Sequence, residues 1–473
     1  MDSKAFREEA HRLVDWMADY FEQIDGYPVK SQVQPGDIYR QLPPQAPQKG
    51  EAFEAIFQDF QKIILPGITH WQSPSFFAYF PANNSFPSVL GEMLMAALGA
   101  QCMSWETSPA AAELEEKTMH WLREAMGLPD TWEGVIQDTA STATLCALLS
   151  ARERFSDFQI NEKGFAQAPV FRIYASEQIH SSIEKDVKIA GFGRENLVYI
   201  PADEAFAMRP EALLEAIEAD LAAGLQPLCV VAALGTTSST AIDPLAAIAE
   251  ICQKHRLWLH VDAAYAGTAT ILSEYRWMLE GLAQADSYVF NPHKWMMVNF
   301  DCTAYFVKET EWLLRTFEIL PEYLKTKADK QVNNYRDWGI PLGRRFRALK
   351  LWFVLRSFGI EGIQQKIRQH IAWAQRLEKE IAQTPDFEIL APVSLNLVCF
   401  RYAPQGQEDL NTLNEKLLQA INATGKAYLT HTKLRGQYTL RMVIAQTNTT
   451  WEHVAAAWTM IQHVAQALLV KEA

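Results

Sequence analysis

Four β-rich runs in this sequence each lead into residues that can do chemistry. LWLHVD closes on Asp262 and is followed by the small residues AAYAG, while SYVF leads into NPHKW with Lys294. LCVVAAL runs into GTTSST with Thr237, and VFRIYA runs into SEQIHSS with His180. Upstream, GVIQDTASTATLCALLSARER reads as a short strand, a small polar turn at Thr139, Ala140 and Ser141, and then a helix. The first N–H groups of a helix have no intrahelical acceptor, so this turn is a candidate anion site. In open α/β sheets ligands bind beyond the carboxyl ends of the strands, which would bring all five segments to one crevice.

An anion cradle, a lysine and a strand-end carboxylate are the parts that a pyridoxal phosphate site requires. The phosphate rests on N–H groups and hydroxyls, the lysine condenses with the aldehyde, and a buried carboxylate keeps the pyridine nitrogen protonated. An imidazole such as His180 is flat enough to cover the ring. Each residue also has an ordinary reading: Lys294 as a solvated lysine, Asp262 as a strand-end cap, His180 as a helix-start histidine, Thr139 and Ser141 as caps. The order of the motifs, DAAYAG before NPHKW, weighs against the ordinary readings of Lys294 and Asp262. His255 and His260 lack a metal-ligand arrangement and GFGREN lacks the third glycine of a dinucleotide fingerprint, so no metal or dinucleotide is expected.

The elements that must position these residues are legible as pattern. From about 86 to 360, the runs VFRIYA, LVYI, LCVVAAL, LWLHVD, SYVF and CTAYFVK alternate with longer amphipathic segments such as PLAAIAEICQKH. That alternation predicts a mostly parallel central sheet covered by helices. Residues 1–85 combine helical patterns with the Pro-rich QLPPQAPQKG and read as an N-terminal helical arm. Residues 361–473 run from a helical IEGIQQKIRQHIAWAQRLEKEIAQ through NLVCFRY and YTLRMVIA to a final helix from about Trp451, a small C-terminal α+β domain.

Composition sets the outer limits. The 473 residues are 49% hydrophobic and 21% charged, which excludes a disordered or disulfide-scaffold chain. Lys+Arg 43 against Asp+Glu 56 gives a net charge of −13, a field that disfavours nucleic acid and anionic membrane surfaces. The segment MDSKAFREEAHRLVDWMADYFEQ interleaves apolar residues with acids, unlike a signal peptide. No window approaches the roughly 18 to 20 apolar residues of a membrane span. Six cysteines form no CxxC pair and mostly sit in apolar stretches, as buried thiols do in a reducing compartment, so a cytoplasmic location is expected.

Over nearly its full length the sequence resembles the group II pyridoxal-phosphate-dependent amino acid decarboxylases, and among them the aromatic-L-amino-acid decarboxylases. The resemblance is carried by WQSPSFFAYFPANNSFPS (71–88), GVIQDTAST (134–142), HSS (180–182), LGTT (234–237), HVDAAYAG (260–267), NPHKWMMVNFDC (291–302) and YRDWGIPLGRRFRALKLWF (335–353). It implies a fold type I pyridoxal-phosphate enzyme of the α/β class, active as a homodimer with active sites at the subunit interface. The implied reaction is decarboxylation of an aromatic L-amino acid (tryptophan, tyrosine, dopa or phenylalanine) to the aryl-alkylamine. By the same match Lys294 is the Schiff-base lysine, Asp262 partners the pyridine nitrogen, and Ala264 and His180 enclose the ring. Thr237 lies beside it, and Ala140, Ser141 and Asn291 hold the phosphate, with Thr139 at the same turn. Tyr79, Phe80, Pro81 and His293 resemble substrate-contacting positions. Gly343, in PLGRRF, resembles a specificity position at which glycine leaves room for a large ring. Tyr323, in PEYLK, matches the tyrosine of the family's mobile catalytic loop.

Three features depart from the family pattern. Asp138 stands in the phosphate turn where many relatives have a small residue, and it is expected to turn away or to cap the helix. Gln101 and Met103 replace apolar and aromatic residues that in relatives reach across the dimer interface into the pocket. The loop LKTKADKQVNN is slightly shorter than in the animal enzymes. An aromatic acetaldehyde synthase and a non-catalytic pyridoxal-phosphate-binding homologue are the competing readings. Aldehyde-forming relatives commonly have Phe in place of the loop tyrosine or Asn in place of the stacking histidine, so Tyr323 with His180 favours the amine.

Overall fold

The computed structural model describes residues 1–319 and 331–472. The chain divides into two compact units. The larger comprises Ala82–Gln375 with Ala391–Leu397, and the smaller comprises Met1–Pro81, Arg376–Leu390 and Val398–Ala473.

Seven strands build the sheet of the larger unit: β1 (Glu133–Gln137), β2 (Phe171–Ser176), β3 (Leu197–Ile200), β4 (Gln226–Ala233), β5 (Trp258–Asp262), β6 (Ser287–Phe290) and β7 (Thr303–Val307). Their order is β1-β7-β6-β5-β4-β2-β3. β7 runs antiparallel to both β1 and β6, and the remaining pairings are parallel, so every strand but β7 points the same way. Parallel strands covered on both faces need near-continuous apolar sequence, and β4 to β7 supply it, with β5, β6 and β7 buried at every position. One core cluster joins Ile173, Val231 and Trp258 to Leu148, Ile183 and Val187. Another joins Val135, Val289 and Tyr305 to Ala143, Cys146 and Trp338.

The helix Ala140–Ser156 starts immediately beyond β1. Thr139 is its N-cap, with an extended backbone and a side chain that accepts from Thr142 N at 3.3 Å. The helix ends where Asp157 turns left-handed at φ 47°. The long helical stretch Arg347–Gln383 is broken at Gly359, whose φ of 64° and ψ of 167° no L side chain adopts at ease.

In the smaller unit lie β8 (Phe387–Ile389), β9 (Leu397–Tyr402), β10 (Thr430–Leu434) and β11 (Gln437–Val443), in the order β10-β11-β9-β8. The β10–β11 and β8–β9 pairs are antiparallel. The helix Ser3–Glu22 opens on Asp2, whose carboxylate accepts from Ala5 N at 2.8 Å. Among the described residues no helix is long and apolar enough to cross a membrane.

Candidate active site

The strand directions put the carboxyl ends of β1, β2, β4, β5 and β6 along one edge of the larger sheet, and the start of the antiparallel β7 joins them. Asp262 is the last residue of β5, and its Oδ1 accepts from Ala264 N at 3.0 Å. That bond turns the chain sharply after the strand and leaves Ala264 half-buried. Ala264 O in turn accepts from Asn291 N at 3.0 Å, tying the end of β5 to the segment that follows β6.

Lys294 sits in the short helix Pro292–Trp295, whose first residue follows the cap Asn291. Burial pushes the Lys294 ammonium below the ordinary lysine range, and the Asp262 carboxylate acts in the opposite direction. His180, six residues into the segment that begins at Ala175 near the end of β2, is also held below its usual value, first by desolvation and then by the Lys294 charge. Ser182 N–H donates to His180 Nδ1 at 3.1 Å, and Ser182 Oγ lies 2.8 Å from the same atom. With Nδ1 accepting, a neutral His180 carries its proton on Nε2. Lys294, Asp262 and His180 thus act on one another electrostatically although 82 or more residues separate His180 from the other two.

At the start of helix Ala140–Ser156 the N–H groups of Ala140 and Ser141 have no hydrogen-bond partner among the described residues. Asp138 folds its carboxylate back onto the backbone, where Oδ1 accepts from Thr139 N at 2.6 Å. The acid thus occupies the N–H of the cap residue and leaves the next two open. Thr303 Oγ1 donates to Asn291 Oδ1 at 2.7 Å and lies 3.1 Å from the Asp138 carbonyl, so the turn after β1 and the turn after β6 are joined through the first residue of β7. Thr237 is half-buried beyond β4.

His293 is buried, and desolvation followed by the neighbouring Lys294 charge pushes its pKa down to about 3. Its Nδ1 accepts from Cys302 N at 2.9 Å, which again leaves Nε2 as the protonated atom. Gly343 and Gln101 meet: a Cβ on Gly343 would come 3.2 Å from Gln101 Nε2, while Gln101 Oε1 accepts from Arg344 N at 2.7 Å. Met103 O accepts from Arg336 N at 2.8 Å. Tyr79, Phe80 and Pro81 belong to the smaller unit. There Tyr79 holds a left-handed φ of 52°, stacks on Trp71 at 5.6 Å and places its hydroxyl 3.0 Å from that of Tyr428. The Arg441 guanidinium lies over the Phe80 ring at 5.4 Å, and Pro81 is buried. Tyr323 lies outside the described residues.

Two contributors to this edge escaped the sequence reading. Thr303 was hidden because CTAYFVK reads as one more parallel strand, whereas its antiparallel course brings its first residue to the site edge. The other is Asp186, an acid on the apolar face of helix Ser182–Ile189 beside Ile183 and Val187. His260 is structural: it is fully buried between Thr144 Oγ1 at 3.1 Å and Ser287 Oγ at 2.8 Å. No group of three or more potential metal ligands occurs among the described residues.

Comparison with known proteins extends this picture to the whole chain. The family model for the pyridoxal-dependent decarboxylase conserved domain matches residues 35–403. A phenylacetaldehyde synthase of Arabidopsis thaliana is 45% identical over 100% of this chain and 98% of its own length. The aromatic-L-amino-acid decarboxylase of Sus scrofa is 46% identical over 100% of this chain and 98% of its own. The crystal structure of Oryza sativa TDC with PLP and tryptamine matches with a TM-score of 0.96 at 35% sequence identity, covering 99% of each chain.

Proposed function

The chain belongs to the pyridoxal-dependent decarboxylase family, and from that premise we propose that it converts an aromatic L-amino acid to the aryl-alkylamine and carbon dioxide. The observation that carries this reading is the meeting of Asp262, Lys294 and His180 at one sheet edge with the open N–H groups of Ala140 and Ser141. These residues fit pyridoxal 5'-phosphate: two free helix-start donors suit a phosphate, and a carboxylate beside a depressed lysine suits a pyridinium and an aldehyde. When bound, the cofactor supplies the aldehyde that captures the substrate amine and the ring that accepts the electron pair left as carbon dioxide departs.

The protein's own part is positioning and proton placement. Ala140 and Ser141 N–H, the Thr139 hydroxyl and Asn291 would hold the phosphate, with Thr303 fixing the Asn291 amide. Asp262 would keep the pyridine nitrogen protonated, and His180, Ala264 and Thr237 would hold the ring. Burial pushes the Lys294 ammonium below the ordinary lysine range, in the direction of the free amine that attacks a carbonyl. After the Cα–carboxylate bond breaks, Cα must take up one proton, and Tyr323 is the acid assigned to deliver it, with His180 holding its own proton on Nε2. His293, whose pKa is pushed down to about 3, and Tyr79, Phe80 and Pro81 are the positions that resemble the family's substrate contacts. The missing Cβ at Gly343 leaves Gln101 its place against Arg344 N, and with Gln101 and Met103 this position is assigned to substrate-ring selectivity.

The 45% identity to a phenylacetaldehyde synthase supports one second reading, conversion of the amino acid with dioxygen and water to an aldehyde, carbon dioxide, ammonia and hydrogen peroxide. Retention of His180 and of Tyr323 favours the amine. An amino acid panel assayed for amine, aldehyde and peroxide tests both readings. Amine is the expected product from tryptophan, tyrosine, dopa or phenylalanine. Aldehyde and peroxide as main products would select the second reading, and a preference for glutamate beyond about tenfold in kcat/KM would sink the aromatic assignment.

The same reading includes a cytoplasmic homodimer. All six cysteines are free and buried, which supports a reducing compartment. Phe86, Leu90, Leu94 and Leu98 are exposed at intervals of one helical turn on the helix Phe86–Leu98, an apolar face that supports burial against a second copy.

A further inference from the structure

Asp186 is 2% exposed on the helix that begins two residues after His180, and its Oδ2 has no hydrogen-bond partner among the described residues. Another buried acid of the same unit shows what a structural carboxylate looks like. Asp243 is also nearly inaccessible, but its two oxygens accept from Met208 N and Ala233 N, each at 2.7 Å, and tie a loop to β4. Asp186 ties nothing with Oδ2, and an acid beside Ile183 and Val187 on an apolar helix face costs stability without that return. Its surroundings explain what it responds to. Asp262, at the end of β5, opposes its ionisation, and Lys185 on its own helix favours it. From the packed helix Ala140–Ser156 the Cys146 thiol senses the Asp186 charge, and Arg152 is engaged with Glu153, Asn161 and the Ala190 carbonyl. From the turn Arg194–Asn196, Arg194 pairs with Glu184, as does Lys188.

We infer that Asp186 is a positioning residue of the cofactor site, a second buried carboxylate that acts through Asp262 and couples the binding of pyridoxal phosphate to the loss of its own proton. The argument is one of linkage. In the cofactor-free protein, desolvation and then the Asp262 charge raise Asp186 to about 7. A protonated pyridine nitrogen brought to Asp262 cancels that charge, so Asp186 ionises more readily in the loaded protein. By reciprocity the ionised Asp186 must strengthen the hold on the protonated ring. The inference deepens the cofactor reading without depending on which amino acid is the substrate.

The test measures the dissociation constant of pyridoxal phosphate from pH 5.5 to 8.5 in the wild type, Asp186→Asn and Lys185→Gln, with thermal melts of the cofactor-free proteins alongside. The quantity of interest is the ratio of the constants for Asp186→Asn and the wild type, in which the cofactor's own titrations cancel. The ratio is expected to lie near one at the acid end and to rise about tenfold across neutrality, the equivalent of one pKa unit. Removing the exposed Lys185 leaves the acid in place and is expected to move the midpoint of the wild-type profile to higher pH. In the cofactor-free melts Asp186→Asn is expected to gain stability over the wild type between about pH 4 and 7 and then level off, because the folded wild type resists ionising in that interval. A ratio that stays flat with pH, or a midpoint that ignores Lys185→Gln, would overturn the inference. Should Asp186→Asn fail to fold, the Lys185→Gln midpoint alone decides.

Discussion

Strand β5 buries all five residues from Trp258 to Asp262, whereas β10 alternates, hiding Leu434 and leaving His431 and Lys433 in solvent. Each strand carries a histidine, and the two histidines live differently. His260 in β5 is fully inaccessible between two hydroxyls, and desolvation drives its pKa down to about 4. His431 in the edge strand β10 lies flat on Tyr438, with ring centroids 4.5 Å apart and planes 8° apart, and needs no other partner. Burial in the parallel sheet drives His260 toward its neutral form. Perturbed ionisable groups gather where such buried strands end, and that is where Lys294, His293 and His180 are found.

The largest effect should come from the strand-end lysine. Lys294→Ala is expected to remove at least about a thousandfold in turnover, and borohydride reduction of the wild type should leave the pyridoxyl group on the peptide containing Lys294. Label on another lysine would break the contrast, because the chemistry would then lie outside the buried edge. Asp262→Ala should retain cofactor through Lys294 and the phosphate turn yet lose roughly a hundredfold or more in kcat, the ring nitrogen having lost its proton partner. Near-normal turnover in that variant would mean that the burial of β5 serves packing alone.

A third effect is on stability. The folded chain holds His260 and His293 neutral down to about pH 4 and about pH 3. An unfolded histidine takes up its proton near pH 6.5, so this contribution is complete above about 6.5 and drains away as the pH falls toward those values. The loss should be on the order of 3 to 5 kcal/mol per imidazole once fully drained, larger for His293 than for His260. Cofactor-free melts from pH 7 to 4 should show the fall, and His293→Asn should flatten it. A melting temperature constant over that range would show that these two groups are solvated after all. The smallest effect belongs to β10: His431→Ala should cost only about 0.5 to 1 kcal/mol, the scale of one exposed cross-strand pair. A loss of several kcal/mol by denaturant titration would erase the distinction between the strands.

The same physics explains what the sequence could disclose. β4, β5 and β6 were legible because strands covered on both faces must be apolar throughout, and a run such as LCVVAAL has few other uses. Asp262 could be singled out because it ends such a run, and Lys294 and His180 because they follow one within five residues. β10 was not, since THTKL alternates polar residues with little apolar content and only pairing with β11 makes it a strand. Thr303 was missed for a topological reason, as the direction of a strand is not written in its composition. Asp186 left a trace, an acid at the i+3 position from Ile183 on an otherwise apolar helix face, but its unpartnered oxygen is a property of three dimensions.

Thr303 Oγ1 and the Asp138 carbonyl, 3.1 Å apart, are separated by 165 residues of sequence, and the β1–β7 ladder beside them closes slightly longer separations. During synthesis β1 leaves the ribosome long before its neighbour in the sheet exists. Contacts of such separation slow folding, so the turn after β1 gains its link to the start of β7 only once β7 has joined the sheet.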